Sequence, residues 1–285
     1  MRIVLLQRVA AGALVVTLIL PLPSFGWGNE GHRLVNRLAA ASLPADIPVF
    51  MRSELAINEI EYLGPEPDRT RRRLRPLPRN RQDFEATAFA HNQRPEKVGL
   101  QPWQTFEIWQ RLKAALREYR HLSAASPINE KDLRGAEQAV IFYAGWLGHY
   151  VGNGSQPLHT TINYDGWALK DNPKNFSTAH GIHWRFEGTF VGANISDIAA
   201  GAQKKMAPLA PVDGDIFDSY VAYLRHSATM IDTVYAFDKA GAFAKSGTAE
   251  SRDFTASRIA AGASELRDLI YAAWRESARP VADRY

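Results

Sequence analysis

Gly148-His149-Tyr150-Val151-Gly152-Asn153-Gly154-Ser155-Gln156-Pro157-Leu158-His159 is the most informative run in this chain. His149 and Asn153 stand four residues apart, so on a helix they project from one face. Val140, Tyr143, Leu147 and Tyr150 lead into the run at spacings of three and four, the period of an amphipathic helix. Asn129 is placed to cap that helix, with Asp132 in its first turn. Pro157 ends it before His159.

The same period extends in both directions. Phe106, Trp109, Leu112, Leu116 and Tyr119 mark a helix over Trp103 to Leu122. His32 to Leu43 is short and amphipathic, and Asp46 to Leu63 continues after Pro44. Toward the C-terminus, Ile216, Tyr220, Tyr223, Ile231 and Val234 define one long helix. Phe254, Ile259, Leu266, Ile270 and Trp274 define the last, with Pro280 beyond it. Nothing alternates at period two between hairpin turns. The expectation is an all-α, single-domain, multi-helix bundle. Two irregular stretches interrupt it: Gly64 to Pro102, rich in proline and arginine, and Thr160 to Thr178, rich in Asn, Asp and Gly. Loops of such length in a compact domain usually carry function.

The first 26 residues read as a secretory leader. Arg2 and Arg8 flank an apolar segment from Val9 to Leu22, and Ser24 and Gly26 supply the small residues before a cut. The apolar run is shorter than the ~20 residues a bilayer span needs, and Pro21 and Pro23 interrupt its end. Removal of 1–26 takes the formal charge from +4 to +2 and leaves about 259 residues, 27–285, as one domain. An exported protein, periplasmic or secreted and without stable membrane insertion, is expected. With no cysteine in the chain, its stability must come from a core or a bound metal. A hydrophobic content of 46% is enough for that core. No obligate protein partner is implied.

Cleavage after Gly26 would give Trp27 a free α-amine five residues before His32. Such an amine titrates near ~7.7–8 and can ligate a metal when neutral. Downstream, His183 and Glu187 are again spaced i, i+4. Two imidazoles and a carboxylate form a recurrent zinc site with one position open for water. Alone, a His-x-x-x-Glu pair is ordinarily a surface or core contact, and a histidine among aromatic residues is ordinarily a satisfied core residue. Here four of the eight histidines, His32, His149, His159 and His183, each fall in a locally structured motif.

These segments resemble the trinuclear-zinc superfamily of bacterial phospholipases C and secreted fungal single-strand-specific nucleases. Its pattern is a mature N-terminal Trp, a His shortly after, and Gly-His-x-x-Gly-Asp-x-x-Gln-Pro-Leu-His, in an all-helical fold. The likeness runs from Trp27 to about Glu187; the last hundred residues match only as generic helices. Gly64-Pro65-Glu66-Pro67-Asp68-Arg69 resembles the loop with an early aspartate ligand, and Gln101-Pro102-Trp103 a helix start. The resemblance implies up to three Zn2+ ions. One would take His159, His183 and Glu187; a second Asp68, a further histidine, His149 and position 153; the third the Trp27 amine and carbonyl, His32 and position 153. Asp68 and Asn153 would thus stand at the reacting centre. The implied activity is phosphodiester hydrolysis by metal-held water, with no side-chain nucleophile. Single-stranded RNA or DNA is the first-choice substrate; a lipid headgroup, as for a phospholipase C, is the alternative.

Two departures stand out. Position 153 is Asn where the family has a bridging Asp. Two dications ~4 Å apart at an effective dielectric of ~20 repel by about 16 kcal/mol, and a neutral amide offsets none of it. Fewer than three zincs, an exogenous bridging anion, or a non-catalytic metal- or phosphate-binding relative are the implied consequences. The second departure is the missing histidine just after Asp68, for which His91 is the only candidate before Trp103.

Around these motifs, Arg69 to Arg81 holds seven arginines and no acid, either a polyanion-steering loop or a solvated one. Of Tyr164, Trp167, Phe176 and Trp184, two are expected in the core and the others are free to stack an unpaired base. His180 reads as a bystander, and His121 and His226 carry no motif.

Overall fold

The computed structural model describes residues 27–73, 100–210, 212 and 214–280. The leader (1–26), His91 and the arginine loop beyond residue 73 lie outside the described residues. What is described is all-α, as the periodicities indicate, with no named strand.

The helices are α1 (Gly28–Ala41), α2 (Glu54–Leu63), α3 (Glu66–Arg73), α4 (Gln101–Ser123), α5 (Glu130–Ser155), α6 (Ile195–Lys205), α7 (Ile216–Ala228), α8 (Ile231–Lys239) and α9 (Ala249–Ser277). Short 3-10 turns at Val49–Arg52 and Pro157–Thr160 and a π-helical stretch at Trp184–Phe190 complete them. Polar caps fix several starts. The Asn129 side chain accepts from Lys131 N and Asp132 N, and Thr248 and Ser251 cap each other at the start of α9. Three expectations are corrected. The helix expected over Asp46 to Leu63 is a 3-10 turn at Val49–Arg52 followed by α2 from Glu54, where the Ser53 side chain accepts from Ala56 N as its N-cap. The irregular stretch was to begin at Gly64, but Glu66–Arg73 is helical, with Glu66 and Asp68 in the first turn where the helix dipole favours acids. The long helix from Ile216 is two, α7 and α8, broken at Thr229-Met230 where Thr229 Oγ1 donates to His226 O.

Two long helices form the centre. α5 packs against α1, α2, α4 and α9, and α9 also packs against α1, α4 and α6. Their interface buries Val140, Ala144, Leu147, Val151, Leu266, Leu269 and Ile270, and Trp109 of α4 donates to Leu269 O at 2.9 Å. No helix among the described residues is long and apolar enough to cross a membrane.

Glycines on α5 set how closely its neighbours approach. A Cβ at Gly145 would strike the Leu63 side chain, and one at Gly148 would strike Asn36. In that gap Asn36 of α1 donates to Ile60 O at 2.7 Å and Gly145 O at 2.9 Å, tying α1, α2 and α5 together. Gly135, on the exposed part of α5, meets nothing within 4 Å. The two glycines should therefore respond oppositely to alanine. Gly148→Ala is expected to lower unfolding free energy by ~1–3 kcal/mol through overpacking, and Gly135→Ala to raise it by up to ~1 kcal/mol through helix propensity. Urea unfolding of both variants checks the sign; a neutral Gly148→Ala would contradict the close-approach account.

Candidate metal centre

The α1–α2–α5 junction brings the first group together. His32 of α1, Asp68 of α3 and His149 of α5 each offer a ligand atom, all within 4.8 Å of one another. The His32 and His149 rings stack with centroids 4.3 Å apart. Gly152, one turn along α5, makes room: a Cβ there would lie 3.1 Å from His32 Nδ1. His149 Nδ1 is 3.1 Å from Gly64 O, a group that only accepts, so Nδ1 carries the proton. The lone pair of Nε2 then points toward Asp68 Oδ1, 3.8 Å away.

His32 is fully buried, and neither of its ring nitrogens has a hydrogen-bond partner. Burial pushes its pKa well below the ordinary imidazole value, and His149 and His159 push the same way. It is therefore neutral, the form that ligates a metal. A buried polar atom without a partner costs ~1–3 kcal/mol, which a metal at the lone pair would relieve.

The second group joins His159, in the 3-10 turn after Pro157, with His183 and Glu187. The π-helical stretch keeps His183 and Glu187 on nearly one face; π segments recur at functional sites. His183 Nδ1 donates to Tyr164 O at 2.9 Å, so its Nε2 is the nitrogen turned into the group. That atom faces His159 Nε2 at 3.1 Å and contacts Glu187 Oε1. Glu187 Oε2 lies 3.5 Å from His159 Nε2. Burial raises the Glu187 pKa, but His183 and His159 outweigh it and hold the carboxyl below its usual range. Burial likewise lowers His183, and Glu187, the Tyr164 carbonyl and Asp165 more than reverse this.

Two supports escaped the sequence reading. Gln156 donates to Glu187 Oε2 at 3.2 Å while its own oxygen accepts from Leu158 N at 2.6 Å. A polar residue just before a proline-started turn was the available signal. Asp165 Oδ1 accepts from Gly181 N at 2.7 Å and His183 N at 3.2 Å, seating His183 from the irregular loop. His180, 86% exposed at its side chain, touches only the outer oxygen of Asp165 and stands outside the group.

Trp27 lies between the two groups. Its indole N–H donates to Gly152 O and Ser155 Oγ, both at 2.8 Å, and its ring meets Phe186 edge-on. Gly28 has φ +64°, and a Cβ there would lie 3.0 Å from Glu187 O. Asn153 is buried on the His149 face, as its spacing indicates. Its amide nitrogen is 3.1 Å from His149 Nε2 and its Oδ1 has no partner. Turning the amide over would present the oxygen, not the nitrogen, beside His149. His32, grouped by the resemblance with Trp27 and position 153, sits with Asp68 and His149. Trp167 and Phe176 pack on Tyr235 in the core, whereas Tyr164 is 53% exposed and Trp184 46%. Arg69 is held in place, donating to Tyr62 O, Glu66 and Asn29.

The donor set fits a metal because each group brings two imidazole nitrogens and a carboxylate oxygen within 4.8 Å of one another. Neutral, buried His32 also implies a pH response. Its folded pKa is depressed, so below the ordinary value of ~6.5 the unfolded chain binds a proton that the folded one does not. Stability of the metal-free protein should fall as pH drops from 7 through that window, and His32→Gln should flatten this slope. Thermal melts at pH 5 to 7.5 in chelator measure it; an unchanged slope in the variant would contradict a neutral His32.

Compared with protein-family models, with curated proteins and with solved structures, the chain matches none.

Proposed function

We propose that this protein is an exported, zinc-dependent phosphodiesterase that hydrolyses single-stranded nucleic acid. One observation carries the metal reading: His159 Nε2 and His183 Nε2 are 3.1 Å apart, with the buried Glu187 carboxylate against both. A single cation there would meet two imidazole nitrogens and a carboxylate oxygen, all within 4.8 Å of one another. The His, His, carboxylate set is that of zinc sites which keep one position for water.

Bound zinc would supply a water acidified toward neutrality and charge to stabilise the phosphoryl oxygens. The chain's own residues prepare the site. Tyr164 O and Gly64 O fix the tautomers of His183 and His149, so each presents Nε2. Gln156 holds one oxygen of Glu187 and leaves the other toward His183. The core behind Trp27 and Phe186 keeps bulk water from that side of the site.

Nucleic acid is favoured by Tyr164 and Trp184. The Tyr164 ring meets the His183 ring edge-on at 6.1 Å, Trp184 is the exposed next residue, and stacking an unpaired base on an aromatic ring is worth ~1–3 kcal/mol. A lipid headgroup is the second reading. It is favoured by Ile162 and Leu169, exposed aliphatic side chains of the same loop that suit acyl chains better than bases. Arg69, being pinned, supports neither substrate.

The test compares hydrolysis of single-stranded RNA and DNA, phosphatidylcholine and a small chromogenic phosphodiester. Chelator should abolish activity and zinc restore it. Tyr164→Ala/Trp184→Ala should lower kcat/KM for nucleic acid at least ~10-fold while sparing the small diester. Preference for phosphatidylcholine would establish the second reading. Activity seen only after Asn153→Asp would instead identify a non-catalytic relative.

A further inference from the structure

The last two turns of α5 hold Gly148, Gly152, Asn153, Gly154 and Ser155, all poor helix formers. Each glycine costs about 1 kcal/mol against alanine in a helix interior. Yet this weakest part of the helix presents His149 and Asn153. Its carbonyls are met by side chains from outside. Tyr220 Oη and Gln101 Nε2 donate to Tyr150 O at 2.8 and 2.7 Å, Tyr223 Oη to Val151 O at 2.9 Å, and Arg258 Nε to Ser155 O at 2.9 Å. Gly154 makes this approach feasible, since a Cβ there would lie 2.7 Å from the Tyr223 ring and 2.8 Å from Tyr220 Oη.

The second cluster has a counterpart. Tyr235 of α8 is buried; its hydroxyl donates to Asn163 O at 2.7 Å and accepts from Gly166 N at 3.1 Å. These contacts bracket Tyr164, whose carbonyl takes the His183 Nδ1 proton. Burial pushes the Tyr223 hydroxyl pKa well up and that of Tyr235 to about 12, so both remain protonated donors.

We propose that Tyr223 and Tyr235 are paired positioning residues, one for each cluster. Tyr223 holds the α5 turn that presents His149 and Asn153; Tyr235 holds the loop whose Tyr164 carbonyl orients His183. This rests on the metal reading above. It gives α7 and α8, in the region where the family resemblance is only generic, a part in the site.

Tyr223→Phe and Tyr235→Phe remove only the hydroxyls, and Tyr271→Phe, whose hydroxyl bonds Asp46 at the surface, is the control. Zinc affinity is measured by chelator competition in two backgrounds: His183→Ala, which leaves the His32/Asp68/His149 cluster, and His32→Ala, which leaves the other. Outer partners of metal ligands are commonly worth 10–100-fold in affinity. Tyr223→Phe should therefore weaken zinc at least ~10-fold in the first background and leave the second unchanged, and Tyr235→Phe the reverse. Amide hydrogen exchange gives a readout independent of zinc: protection should fall over 152–156 for Tyr223→Phe and over 164–167 for Tyr235→Phe, with α9 unaffected. Equal weakening of both clusters, unchanged affinity, or uniform loss of protection overturns the proposal. If the wild type takes up no zinc, the metal reading fails, and the exchange pattern alone decides whether these hydroxyls hold the two segments.

Discussion

Acceptors facing acceptors in a dry setting are the constraint around which this molecule is organised. His149 and His183 each donate Nδ1–H to a backbone carbonyl, and each turns Nε2 toward a carboxylate. His32 adds two ring nitrogens with no partner at all. Water is excluded by Trp27, Phe186 and the α5–α9 core. Such an arrangement is costly unless a positive charge lies within it. The charge of Glu187 beside His183 and His159 holds the His183 pKa up, and the two imidazoles hold the Glu187 carboxyl below its usual range, in both cases against the effect of burial.

Backbone proximity creates that crowding, and glycine permits it. Gly145, Gly148, Gly152 and Gly154 are each bare where a different neighbour presses in: Leu63, Asn36, His32 and the Tyr220–Tyr223 pair. The run trades helix propensity for contact, and the lost propensity is offset by hydroxyl, indole and guanidinium donors on its carbonyls. Packing, tautomer and metal preference are therefore one problem. A side chain added at 148 or 152 would part the elements that carry His32 and His149.

Much of this was legible in residues with a rigid spacing rule. Helical period marked α4, α5 and α9, Asn129 capped where expected, and the i, i+4 pairs His149/Asn153 and His183/Glu187 each share a face. Long-range groupings were not legible, because no local pattern records which of several histidines stack. His32 on His149 is decided by the bare Gly152, visible only once α1 lies on α5. Gln156 stands where a cap of the Pro157 turn is expected, but its reach to Glu187, 31 residues on, and that of Asp165 to Gly181 N and His183 N are recorded by nothing local. The break at Thr229-Met230 was hidden because Ile231 and Val234 continue the apolar stripe of α7 in nearly the same phase.

Counting zinc by native mass spectrometry on the purified protein tests the central claim most directly. At least two zinc ions per chain are expected, one lost with His32→Ala and another with His183→Ala. A chain that stays metal-free in micromolar zinc, with both variants indistinguishable from wild type, would contradict it.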